Sequence, residues 1–194
     1  MLRRLLPLTL LLALSACGIN TVPTKDEAVK AAWGEVQNQY QRRADLVPNL
    51  VRTVEGFAKQ EREVLTEVTN ARARATQVTL SPDQLSDPAA MAQFAQAQGA
   101  LSQSLGRLML VVERYPELRS NENFLALQSQ LEGTENRIAI ARRDYNAAVQ
   151  DYNTTIRTFP SIVAARIIYG SKERAPFEAT TPGAETAPEV KFGS

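Results

Sequence analysis

Two pairs of carboxylates stand at helical spacing in this chain, Glu63 with Glu67 and Glu132 with Glu135. Inward-facing carboxylates in a helical bundle can hold a pair of metal ions, but such sites also take Glu-x-x-His ligand pairs. The 194 residues include no histidine, so the four glutamates read as solvated helix faces. The same absence excludes a Ser-His-Asp or Cys-His nucleophile, a histidine metal ligand and an imidazole switch near neutral pH. One cysteine, Cys17, excludes an internal disulfide and a thiolate zinc site. No phosphate loop or nucleophile-elbow pattern occurs. With 22 Lys and Arg against 21 Asp and Glu, a net charge of +1, the chain lacks the basic excess that nucleic-acid binding draws on. No catalytic residue, metal, cofactor or nucleic-acid partner is expected, and composition points to a structural or binding protein rather than an enzyme.

Cys17 has a different chemistry in prospect. Arg3 and Arg4 precede a ten-residue apolar stretch, 5–14, interrupted only by Pro7 and Thr9, which reads as an export signal and is too short to span a bilayer as a helix. Leu14, Ser15, Ala16 and Cys17 then resemble the lipobox of bacterial lipoproteins, in which cleavage precedes the cysteine and fatty-acyl chains such as palmitate are attached to it. Removal of 1–16 leaves 20 basic and 21 acidic residues, so anchorage is expected from acyl chains and not from a polybasic patch. Gly18 after the cysteine, where lipoproteins retained at the inner membrane carry aspartate, favours the outer membrane if the cell has two. The expected place is the periplasmic side of a membrane.

The remainder must position whatever the chain presents, and it reads as helices. Prolines punctuate apolar spacings that are helical throughout, and the starts agree. Thr24 with Glu27 matches a capping box, Asp87 before Pro88 supplies an N-cap with proline at the first helical position, and Ser120 or Asn121 can cap a helix beginning near Glu122. Four segments are expected, about 24–47, 49–78, 88–115 and 120–159. Their seams are heptad-like: Val29, Trp33, Val36, Tyr40 and Val47; Met91, Phe94, Leu101, Leu105, Leu108, Val112 and Tyr115; and Phe124, Leu127, Leu131, Thr134, Ile138, Ala141, Tyr145, Ala148 and Tyr152. A 3.5-residue period predicts left-handed coiled-coil-like packing. The apolar phase continues through Pro48, but an unbroken helix over 24–78 would be roughly 80 Å long at 1.5 Å per residue, too long for 88–115 to cover. A break at Pro48 gives an all-α, antiparallel up-and-down four-helix bundle with long helices. Residues 108–112 are apolar all round, so that turn is covered on several sides or forms a homo-oligomer face.

Trp33, Tyr40, Arg42, Arg43, Asp45, Leu46, Pro48, Asn49, Leu50 and Val51 resemble the opening motif of the LemA family. The resemblance continues through Ala71 with Arg72, Leu101 to Leu108, Tyr115 with Pro116, and Asn121 to Phe124. It is completed by Thr134 to Asn136, Ala141 with Arg142, Tyr145 with Asn146, Tyr152 with Asn153, and Phe159 with Pro160. It implies an antiparallel helical bundle on the outer face of a bacterial membrane, and no particular activity. Family members typically open on a transmembrane helix, whereas this chain has a short signal and a lipobox.

Four regions follow: a signal at 1–16, a tether at 17–23, a helical bundle at 24–178, and a Thr-, Pro- and Ala-rich tail at 179–194 expected to be disordered. A tether from Cys17 places the start of the first helix near lipid, and turns at Pro48 and Pro116 then meet at a far tip. That tip is expected to gather Arg42, Arg43, Asp45, Asn49, Asn121, Glu122 and Asn123, either as helix caps and a solvated face or as a surface that docks an envelope protein through bidentate arginines. At the near end, 161–169 either folds back to close the bundle or lies flat on lipid. Arg43 and Glu61 fall on the apolar seam, where a charge must be paired or sit at an end. Asn136, Arg142, Asn146 and Asn153 are candidates for a polar network beside the core that could hold a small ligand. The reading is a lipid-anchored, non-enzymatic interaction or scaffold module. A periplasmic ligand-sensing bundle is second, and an uncharacterised envelope enzyme third.

Overall fold

A computed structural model describes residues 19–178; the signal 1–16, Cys17 and the tail 179–194 lie outside the described residues. Within these the chain is all-helical, with α1 at Thr21–Phe57, α2 at Arg62–Gln77, a 3-10 turn at Pro82–Ser86, α3 at Pro88–Val112, α4 at Pro116–Arg119, α5 at Glu122–Arg157 and α6 at Ser161–Ile167. None of these helices is long and apolar enough to cross a membrane.

The starts follow the capping chemistry in two places. The Asp87 carboxylate accepts from the N–H groups of Ala89 and Ala90 with Pro88 at the first helical position, and Asn121 accepts from the Phe124 N–H. The Thr24–Glu27 box is not used. Helix α1 already begins at Thr21, and Val22 is buried, so packing of the first turn overrides the local cap.

The break expected at Pro48 is absent: α1 runs through that proline for 37 residues, about 55 Å at 1.5 Å per residue. A proline inside a helix has no N–H to give to the carbonyl four residues back. That carbonyl belongs to Ala44, which is buried, and the Arg72 Nε donates to it at 2.7 Å from α2. The freed acceptor is thus satisfied across the helix interface. The chain turns ten residues later, after Gly56 and Phe57, so α2 is only 16 residues long. Helix α5, at 36 residues, therefore matches α1 in length.

Ion pairs fix the directions. Lys25 pairs with Asp151 and Arg43 with Glu135, so α1 and α5 run oppositely; Arg107 pairs with Glu67 and Gln98 donates to the Ala75 carbonyl, so α2 and α3 do too. The α1 seam from Val29 to Val47 is buried throughout, as are Met91, Phe94, Leu101, Leu105, Leu108 and Val112 of α3. On α5 the buried positions include Phe124, Leu131, Thr134, Ile138, Ala141, Tyr145 and Tyr152, with Leu127 and Ala148 half-buried. In the 108–112 run only Leu110 is largely exposed, at 71%. Helix α6 folds back on the bundle through Ser161, Ala164 and Ala165.

The α3 and α5 backbones do not approach closely. Residues 173–178 close part of that gap as a non-helical strap, and Phe177 inserts its ring among Trp33, Phe94 and Tyr145, with centroids 5.8, 6.3 and 5.5 Å away.

Candidate functional site

Arg43 is the most buried charged group among the described residues, 1% exposed. Its Nη1 donates to Ser102 Oγ at 2.7 Å and to Glu135 Oε1 at 3.0 Å, and its Nη2 donates to the side-chain and main-chain oxygens of Gln98 at 2.6 and 3.1 Å. Gln98 in turn donates to the Ala75 carbonyl, so one guanidinium links α1, α3 and α5 and reaches α2 through an amide. The cation also lies 5.0 Å from the Tyr40 ring centroid. Burial raises the Tyr40 pKa, with the Arg142 and Arg43 charges acting the other way. This is an internal tie, placed where the Trp33 and Leu50 halves of the core meet.

The expected tip must be redrawn. Because α1 does not stop at Pro48, Arg42, Asp45 and Asn49 are exposed along its flank, and Arg43 is inside the bundle. None of the four joins Asn121, Glu122 and Asn123. The far pole is made by the 58–61 and 113–121 turns. There the Tyr115 hydroxyl donates to Glu61 at 3.0 Å and accepts from Gln60 at 2.7 Å, while Arg114 pairs with Glu61 at 2.9 Å. Glu61, a charge on the apolar seam, is thus both paired and at an end. Leu118 plugs the turn from inside, fully buried, and Glu122 and Asn123 are exposed at the start of α5.

The polar residues of α5 come together around the strap. Asn146 donates to the Phe177 carbonyl and accepts from its N–H, at 3.0 and 2.8 Å; Asn153 does the same for Arg174, at 2.9 Å each way. Arg142 donates to the Glu178 carbonyl and lies over the Phe177 ring. Asn136, the fourth expected member, is exposed farther along the helix. What these side chains grip is the chain's own backbone. The Tyr145 hydroxyl donates to the Ala175 carbonyl at 2.9 Å, and burial holds its pKa far above the ordinary range. Arg174 fastens the strap to the opposite side through Asp26, at 2.7 Å, and through Ser86 and the Pro82 carbonyl. At Asp26 burial opposes ionisation, but hydrogen bonds from Lys30 and Arg174 prevail and lower its pKa.

Beside the strap an open groove of about 1010 Å³ runs along the small-residue face of α3, lined by Ala92, Ala95, Gly99 and Ala100 and bounded by Arg174, Pro176 and Glu178. Among the described residues no cluster of three or more Asp, Glu, Cys or His groups is placed to hold a metal ion. Glu67 and Glu135 serve Arg107 and Arg43, and Glu132 accepts from Gln128.

Gln98, Glu135, Arg174 and Phe177 were not expected at these positions. Gln98 did carry a signal, as the polar member of the α3 stripe between Phe94 and Leu101, just as Arg43 interrupts the α1 stripe. Two polar interruptions on facing seams call for each other.

The LemA family model matches residues 32–192. The chain belongs to the LemA family. Among curated proteins it is 29% identical over 157 residues to the magnetosome proteins MamQ 1 and MamQ 2 of Paramagnetospirillum magneticum, covering 73% of this chain and 58% of each relative. It is 26% identical over 181 residues to the magnetosome protein MamQ of Magnetospirillum gryphiswaldense, covering 79% of this chain and 66% of the relative. The chain thus spans little more than half the length of the first two. In this LemA-family chain the motif residues have architectural roles. Trp33 and Tyr40 fill the core, Arg43 ties the helices, Arg72 supports Pro48, and Asn146 and Asn153 hold the strap.

Proposed function

We propose that this LemA-family chain is a lipid-anchored, non-enzymatic helical module of the bacterial envelope, rooted at one pole through acylated Cys17 and engaging an envelope protein through the other. In this reading α1, α2, α3 and α5 act as an up-and-down four-helix bundle that carries the far turns about 55 Å from the root. The supporting observation is the polarity of the rod. Helix α1 starts at the pole that exposes Phe159 and Ile167 almost fully, while the opposite pole exposes Lys59, Glu117, Glu122 and Asn123, with Phe57 and Leu125 about half exposed beside them. Most of the interior polar groups are hydrogen-bonded within the chain, Arg43 Nε and Gln39 Oε1 excepted, which suits a rigid presenting body. The names of the relatives attach them to the magnetosome and not to a reaction.

A photo-crosslinker at Asn123 tests the far turns against the same group at Arg42 on the flank. The reading expects a discrete protein adduct in cells from Asn123 and none from Arg42. Equal, diffuse labelling from both removes the docking pole. A ligand-sensing role has the α3 groove in its favour, and a metabolite retained on native mass spectrometry, then lost with Gly99→Leu, would support it over docking.

A further inference from the structure

Of the nine large apolar side chains exposed among the described residues, five cluster at one place, while Phe57, Leu110, Leu125 and Ile140 are scattered. Phe159 (82% exposed), Val163 (51%), Ile167 (79%), Ile168 (58%) and Tyr169 (42%) fall within eleven consecutive residues around α6. This is the pole where α1 begins, since Val22 and Pro23 line the same recess as Tyr169 and Lys172. Helix α6 turns Ser161, Ala164 and Ala165 inward. Val163 and Ile167, one turn apart, therefore share the outward face with Arg166.

The geometry points to a lipid foot: this face enters the surface of the bilayer in which the chain is anchored, with its apolar side chains among the upper acyl segments and Arg166 and Lys172 at the level of anionic headgroups. The inference rests on Cys17 as the anchor. Three residues, 18–20, separate Cys17 from Thr21, a span of at most about 14 Å of chain, so acyl chains at Cys17 bring this pole against lipid. A second copy of the chain fits less well. With large side chains offering on the order of 150–200 Å² each, the five exposures amount to roughly 600 Å², below the about 800 Å² that a standard interface takes from each partner. A bilayer needs no such minimum, because the anchor already holds the foot at high local concentration.

The test uses the full chain, purified from producing cells and reconstituted into phosphatidylethanolamine and phosphatidylglycerol vesicles containing chain-brominated lipid. Variants Ile167→Trp and Leu125→Trp place a reporter at the near and far poles; the native Trp33 is buried and is a constant background. Fluorescence of the residue-167 reporter should fall about twofold in brominated vesicles, and that of the residue-125 reporter should not change. A chain that floats with the vesicles but shows equal reporters overturns the foot and spares the anchor. A chain that does not float overturns both. Self-association in detergent that the double variant Val163→Asp, Ile167→Asp abolishes, with no quenching at 167, assigns the face to a second copy and overturns the foot.

Discussion

Continuity of α1 through Pro48 depends on a donor 24 residues away in sequence, and a double-mutant cycle can measure that dependence. Arg72→Met keeps most of the apolar stem and removes the 2.7 Å donation to the Ala44 carbonyl. A hydrogen bond from a charged group contributes about 1.5–3 kcal/mol, and an orphaned buried carbonyl carries a desolvation cost of about 1–3 kcal/mol. Arg72 is half-buried and Ala44 is 3% exposed, so a loss of about 2 kcal/mol is expected. In a Pro48→Ala background the residue-48 N–H can bond the same carbonyl, and removal of Arg72 should then cost no more than about 0.5–1 kcal/mol. The expected coupling is about 1–1.5 kcal/mol, read from urea midpoints of the four proteins at constant m-value. Additivity within about 0.4 kcal/mol would refute the claim that Arg72 is what lets the helix pass the proline.

Three further outcomes follow from the interior. Arg43→Ala should cost about 2–4 kcal/mol through the space it vacates and the buried Gln98 oxygen it leaves unpaired, Glu135 being 43% exposed at its side chain and open to water, with Arg43→Met costing less; Arg42→Ala, on the exposed flank, should stay within about 0.5 kcal/mol, and thermal melts separate them. Phe177→Ala should cost about 3–5 kcal/mol and shift Trp33 emission to the red as the strap loosens. Asp26 has a pKa below its ordinary 3.8 when folded, so near that pH the unfolded chain binds more protons and stability rises with pH. Its contribution is complete above the unfolded value and is lost as pH falls through the folded one. Asp26→Asn should flatten the acid limb of a stability-against-pH curve, and an unchanged limb would count against the Asp26–Arg174 clasp.

The buried stripes were legible because each α1, α3 and α5 seam repeats at a spacing that only a helix facing a partner explains, and Asp87 and Asn121 announced two starts by local chemistry alone. The break at Pro48 was misplaced because proline's usual effect is local, whereas its remedy, Arg72, sits on another helix. Displacing that turn by ten residues moved Arg42, Asp45 and Asn49 to the flank and enclosed Arg43. The polar character of Asn146 and Asn153 could be read from α5, but their partners could not. The strap that they hold is an irregular stretch with no periodicity to reveal where it lies. Phe177, a single aromatic near the end of such a stretch, gives no sign in sequence that it completes the Trp33 cluster.

Incorporation of labelled palmitate, with membrane fractionation, in wild type and Cys17→Ser tests most directly whether this helical rod is rooted by one pole. The account predicts label on the wild-type chain and its recovery with membranes, and loss of label together with loss of stable membrane retention in Cys17→Ser. A wild-type chain that takes up no label, or a Cys17→Ser chain retained on membranes as firmly as wild type, would contradict it.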